Sequence, residues 1–147
     1  MPFFIDTSAL FKRYQPERGT EAVCRILESK DDLKFISAVS IIEVISNLKR
    51  LCEIDKITTE EQFYLQRSFF YQDIENLDVT IIDITTEDII KADELILKRY
   101  MKPLDSIQLA IALKIPVNGL TFVCSDNGLC NIAESEGLLI LNPEAVL

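Results

Sequence analysis

Four acidic side chains stand where their neighbours are apolar or turn-forming. Asp6 follows Phe3-Phe4-Ile5, and Glu43 lies inside Ser40-Ile41-Ile42-Glu43-Val44-Ile45. Asp105 begins an apolar run to Leu113, and Asp126 follows Thr121-Phe122-Val123-Cys124. Aspartate is a preferred helix N-cap, so Asp6, Asp126 and Asp105 (with Gln108 reaching back) can each be read as caps. Glu43 sits too far into its helix for that. Its carboxylate is costly there unless it faces a thin solvent stripe, pairs with Lys49 or Arg50, or meets a cation. Taken together, the four offer hard oxygen ligands of the kind that suit Mg²⁺ or Mn²⁺. The chain has no histidine. Metal-activated water is then the natural nucleophile, since no imidazole can serve as base or ligand.

The elements that must position these acids are legible from periodicity. Phe3–Ile5, Leu33–Ile36, Val79–Ile82, Thr121–Cys124 and Leu138–Leu141 read as short buried strands. Helices lie between them. Asp6-Thr7-Ser8 offers capping groups for the first, and Ala22, Val23, Ile26 and Leu27 share one face of the second. Ile41, Val44, Ile45, Leu48 and Leu51 mark a third, capped by Ser37 or Ser40. Thr58 with Glu61 predicts a capping box for a helix toward Tyr71. Thr85 with Asp88 opens another, Asp105 another, and a last one from Asn127 closes at Gly137. Short apolar strands divided by helices predict a three-layer α/β/α fold around a central, mainly parallel sheet. Ligands of such sheets collect beyond the carboxyl ends of strands, where Asp6 and Asp126 fall.

A length of 147 residues suits a single domain spanning 1–147, and glycine and proline are scarce, at four and five. No apolar run nears the roughly 20 residues that span a bilayer, so no membrane partner is expected and the cytoplasm is the default compartment. Cys24, Cys52, Cys124 and Cys130 form no CxxC pair and read as buried free thiols rather than a zinc site. The net charge of −9 argues against a general nucleic-acid coat. It leaves room for a nuclease, whose metal supplies local positive charge. Lys98-Arg99 to Lys102 is locally basic. Phe63, Tyr64, Phe69, Phe70 and Tyr71 give one helix more aromatic surface than a single face easily buries.

Four segments together resemble the PIN-domain nucleases. They are Phe4-Ile5-Asp6-Thr7-Ser8-Ala9-Leu10, Ile42-Glu43-Val44-Ile45-Ser46-Asn47-Leu48, Pro103-Leu104-Asp105-Ser106-Ile107-Gln108-Leu109-Ala110 and Phe122-Val123-Cys124-Ser125-Asp126-Asn127-Gly128-Leu129. Glu136-Gly137-Leu138 and Asn142-Pro143 extend the last. The order is right and nearly the whole chain is covered. The single-domain form is similar to the VapC-like toxins of toxin–antitoxin pairs. That resemblance implies a Mg²⁺- or Mn²⁺-dependent endoribonuclease, an RNA substrate, a homodimer, and a small antitoxin protein as partner. It places Asp6, Glu43, Asp105 and Asp126 at the four acidic positions and Ser8 at the small hydroxyl position near the metal. Gln108 departs from the histidine common in relatives, and little catalytic effect is expected of it. Cys124 departs from a threonine or serine, which weakens a hydrogen bond near Asp126. The alternatives are a catalytically silent PIN-like module that binds RNA or protein, and a metal-dependent DNA nuclease or phosphatase.

Overall fold

The computed structural model describes residues 1–145. Five strands, β1 (Pro2–Ile5), β2 (Leu33–Ser37), β3 (Val79–Ile82), β4 (Thr121–Val123) and β5 (Leu139–Leu141), form one sheet in the order β3-β2-β1-β4-β5. Every pairing is parallel. The helices are α1 (Thr7–Leu10), α2 (Thr20–Glu28), α3 (Ala38–Glu53), α4 (Glu60–Asn76), α5 (Thr86–Lys98), α6 (Pro103–Lys114) and α7 (Asn127–Ser135). Together they cover both faces of the sheet, giving the three-layer α/β/α architecture that the strand and helix pattern predicts.

The strands alternate between two cores. Phe4 and Phe122 point to the side of α5, α6 and α7, where their rings stack at 5.5 Å. Phe3, Ile5 and Val123 point the other way, toward α1 to α4. A strand buried on both faces cannot spare alternate positions for polar groups, which is why β1 and β4 read as continuous apolar runs. No helix among the described residues is long and apolar enough to cross a membrane.

The chain winds outward from β1 to β3, then returns to place β4 on the other side of β1. This reversal opens a crevice at the carboxyl ends of β1 and β4, the switch point where ligands of such sheets bind. Asp6 N donates to Val123 O at 2.9 Å and holds the two strand ends together.

Two helix starts differ from the sequence expectation. The capping box of α4 is Thr59 with Gln62, one residue beyond Thr58 and Glu61, because Gln62 Oε1 can return a bond to Thr59 N at 2.8 Å. Helix α6 begins earlier than Asp105. Lys102 is its N-cap residue and Pro103 its first helical residue, where the missing N–H of proline costs nothing. The box of Thr85 and Asp88 and the closure of α7 before Gly137, at φ 97°, form as expected.

Candidate active site

Asp6 caps α1, as its sequence position allows. Its Oδ2 accepts Ser8 N at 3.1 Å and Ser8 Oγ at 2.6 Å. Capping uses only one carboxylate oxygen. Among the described residues Oδ1 takes no hydrogen bond, although the residue is 4% exposed. Burial is the main cause that raises its pKa to about 6, against the pull of the Ser8 bonds and with the charges of Asp105 and Glu43 adding to it. Ser8 is fixed as the donor. Ser125 N gives its proton to Ser8 Oγ at 3.1 Å, leaving the hydroxyl hydrogen for Asp6.

Glu43 lies on α3, three residues after Ser40, so the two share a helical face. Its Oε1 accepts Thr7 Oγ1 at 2.9 Å and Gln108 Nε2 at 3.0 Å. It pairs with neither Lys49 nor Arg50. Lys49 lies over the Phe63 ring at 5.0 Å and Arg50 is 3.8 Å from Asp55. The helix is also less enclosed than its composition implies, since Ile42 is 67% exposed. Glu43 itself is half-buried.

Asp105 does not cap α6. It stands in the first turn, half-buried, with no hydrogen bond to its carboxylate among the described residues. Burial, then the charges of Asp126 and Glu43, hold its pKa above the ordinary aspartate value, with Lys102 opposing them. Asp126 does cap its helix, accepting Leu129 N at 3.1 Å, and it is exposed. Asp105 and Asp126 share the wall of a cavity of about 150 Å³ at the starts of α6 and α7.

Gln108 makes contacts near the acids that its sequence position did not suggest. It is fully buried in α6, one turn after Asp105, and it does not reach back to cap. Its Nε2 donates toward Ser40 Oγ at 2.8 Å, Thr7 Oγ1 at 2.9 Å and Glu43 Oε1. Thr7 and Ser40 meet at 2.9 Å. The amide must turn its N–H groups to the carboxylate, and its Oε1 stays buried without a partner. The signal was present: a glutamine inside an apolar helix, and Ser40 and Gln108 each one turn from an acid. The sulfur of Cys124 lies 3.9 Å from Ser8 Oγ and 3.4 Å from the Asp126 carbonyl it donates to, a longer contact than a hydroxyl makes.

The fold and this cluster define a class. A PIN-domain family model matches residues 3–135, and the chain belongs to the PIN-domain family. The fold is that of solved toxin–antitoxin structures. FitAcB from Neisseria gonorrhoeae matches with a TM-score of 0.70 at 16% identity, covering 98% of this chain and 99% of that one. VapBC2 from Rickettsia felis bound to a promoter DNA fragment matches at 0.68 and 15%, covering 97% and 98%. The sarcin–ricin loop cleaving toxin VapC20 from Mycobacterium tuberculosis matches at 0.67 and 16%, covering 93% and 96%. Comparison with curated protein sequences gives no match.

The donor set suits a hard divalent cation. Asp6 Oδ1, Glu43 Oε2 and the Asp105 carboxylate keep lone pairs that no protein group uses among the described residues. As the side chains are packed, no three acidic or cysteine side chains among the described residues stand close enough to enclose one ion.

Proposed function

We propose that this chain is a divalent-metal-dependent endoribonuclease and the toxin of a toxin–antitoxin pair. One observation carries the reading: at the switch point of a PIN-domain sheet the charges of Asp105 and Glu43 bear on buried Asp6 and those of Asp126 and Glu43 on Asp105, with no ion pair to any of the four among the described residues. Like charges so placed repel one another unless a cation joins them. Asp6 and Asp105 would be the direct ligands of Mg²⁺ or Mn²⁺, Glu43 would complete the shell, and Asp126 would serve an outer or second position. The ion would lower the pKa of a water and offset charge on the scissile phosphate. Ser8 orients Asp6, and Thr7 and Gln108 fix Oε1 of Glu43, leaving Oε2 to accept a proton from water. An RNA phosphodiester is the substrate in this reading.

A small antitoxin and a second copy of the chain are the proposed partners. The exposed aromatic surface of α4 supports them. Phe63 and Phe70 are buried, whereas Tyr64, Phe69 and Tyr71 are 54%, 45% and 41% exposed. A groove of about 520 Å³ between α3 and Phe63 of α4 is lined by Ile42, Ile45 and Ile54 together with Ser46, Lys49, Arg50 and Glu53.

A second reading, a PIN-like module that binds RNA or protein without cleaving, draws on the carboxylates not enclosing an ion as packed. One experiment separates the two. The purified protein is incubated with structured RNAs in Mg²⁺, Mn²⁺ or chelator, beside Asp6→Asn and the exposed control Asp93→Asn. Cleavage by wild type and Asp93→Asn, with metal only, is expected. Equal cleavage by folded Asp6→Asn would remove Asp6 from the chemistry, and RNA binding without cleavage by any form would select the silent module.

A further inference from the structure

The turn between α5 and α6 has a chemistry that the acids do not explain. It runs Arg99-Tyr100-Met101-Lys102 and ends at the N-cap of α6. Tyr100 is 83% exposed, more than the other large apolar or aromatic side chains of the described residues. An aromatic ring left in water without a packing partner gives up the burial that usually rewards it. Tyr100 is nevertheless at the rim of the 150 Å³ cavity beside Asp105 and Asp126, whose floor is Met101, Leu129 and Ile132. Lys102 is part of the same rim.

The charges of this turn also differ from those of the lysines around it. Nearby cations are committed: Lys98 to Glu136 at 2.8 Å, Lys114 to Asp88 at 2.6 Å and Lys91 to Glu94 at 3.8 Å. Among the described residues Arg99 and Lys102 form no ion pair, in a protein of net charge −9. Two free cations, an exposed ring and an apolar-floored cavity lie together at the edge of the acidic cluster. An apolar peptide would leave the cations unused, and an acidic one would leave the ring and the apolar floor unused. A nucleotide strand answers each feature. Its phosphates meet Arg99 and Lys102, and one base stacks on Tyr100 over the cavity.

We infer that the Arg99–Lys102 turn grips single-stranded RNA on one side of the scissile phosphate, with Tyr100 as a base-stacking platform and Lys102 as a phosphate contact. This rests on the ribonuclease reading for the identity of the strand. The cavity is smaller than the roughly 300–1,000 Å³ of a drug-sized site, in keeping with one planar ring or its edge. Stacking tolerates any base, so the turn sets position along the strand and not sequence.

The test uses the full chain without divalent metal, so that RNA is bound and not cut, with an oligouridylate and an oligoadenylate of roughly eight nucleotides. The chain has no tryptophan, so the emission of its four tyrosines is directly visible. Both strands should quench part of it, and Tyr100→Ala should abolish that change. Tyr100→Ala should weaken binding about five- to a hundredfold and Tyr100→Phe should restore it, because stacking needs the ring and not the hydroxyl. Lys102→Gln should lower the salt slope of binding by about 0.7. In cleavage assays with Mn²⁺, Tyr100→Ala should raise KM while kcat holds within about twofold. Binding by Tyr100→Ala equal to wild type, or Tyr100→Phe as weak as Tyr100→Ala, overturns the inference. The two readings fail separately. Tyr100-dependent binding without cleavage sinks the nuclease and keeps the grip, whereas cleavage indifferent to Tyr100 does the reverse.

Discussion

Asp6 and Asp73 are the same residue type at similar depth, 4% and 7% exposed, yet the fold treats them in opposite ways. Asp73 on α4 faces a guanidinium. Arg13 Nε reaches its Oδ2 at 2.8 Å, Tyr14 donates to it at 2.7 Å, and Arg13 extends to Glu28 on α2 at 2.8 Å. Asp6 faces a serine and two other acids. A buried carboxylate closed by an opposite charge ties elements together, here the turn at Phe11–Arg13 to α2 and α4. A buried carboxylate left with lone pairs and like-charged neighbours costs stability, which in the proposed reading a bound cation would offset.

The largest effect on the fold should come from breaking the closed site. Asp73→Ala leaves the half-buried Arg13 without its main counter-charge and Tyr14 without an acceptor. A loss of about 3–5 kcal/mol in denaturant unfolding is expected, with RNA cleavage per folded molecule unchanged. A loss below about 1 kcal/mol would put this network with ordinary surface pairs and erase the contrast with Asp6.

Asp6→Asn should act in the opposite direction. In metal-free protein the Asp6 carboxyl titrates near about 6, against 3.8 for an ordinary aspartate. Between those values the native state keeps a proton that the unfolded state releases. Stability is therefore greatest below about pH 4 and falls as pH rises through about 6, by about 3 kcal/mol from this group. Asparagine removes that slope and still caps α1. The variant should melt higher than wild type at pH 7 and lose the advantage near pH 4. Parallel melting-temperature profiles from pH 4 to 7 would show that Asp6 carries no such strain.

The strands and the parallel architecture were legible because burial on both sheet faces forces continuous apolar runs at β1 and β4. Asp6 and Asp126 were legible because each follows such a run. Their capping role was legible too, since both cap helices in the structure. Asp105, which the sequence allows as a cap, is not one, because Pro103 can itself begin a helix and moves the start two residues earlier. Glu43 stands out in a helix that reads as apolar on nearly every side, and Ile42, facing outward, marks the solvent stripe that the sequence left open. What no local pattern discloses is the convergence of Thr7, Ser40 and Gln108, whose separations of 33 and 101 residues from Thr7 are closed only by the sheet.

Gln108 tests how far that hub supports the open site. Gln108→Met keeps the volume and removes both N–H donors. Glu43 retains only the Thr7 bond, and its carboxylate can rotate. Outer partners of metal ligands typically contribute about 10–100-fold, and cleavage should fall within that range. Stability should change little, because the variant also removes the unpartnered Oε1. Full activity would make the hub a packing feature.

The smallest expected effects concern Asp126, which sits between the two regimes. It is exposed, it caps α7 through Leu129 N, and its charge reaches Asp105. Two substitutions divide these roles. Asp126→Asn preserves the cap, since asparagine and aspartate are nearly equal there, and removes the charge. Asp126→Ala removes both and should lower stability by about 1 kcal/mol. If Asp126 only caps, Asn is fully active and Ala loses activity only as it unfolds. If its charge serves the acidic cluster, both variants lose activity alike, by about tenfold or less at saturating Mn²⁺ given its position outside the Asp6–Glu43–Asp105 group. The second pattern is expected, because the Asp126 charge is the first cause after burial that raises Asp105. Removing it should move the Asp105 carboxyl back toward its ordinary value, a shift readable by carboxyl-carbon NMR in metal-free protein. An unmoved Asp105 resonance, together with full activity of Asp126→Asn, would reassign Asp126 to the fold and leave the open site with Asp6, Glu43 and Asp105.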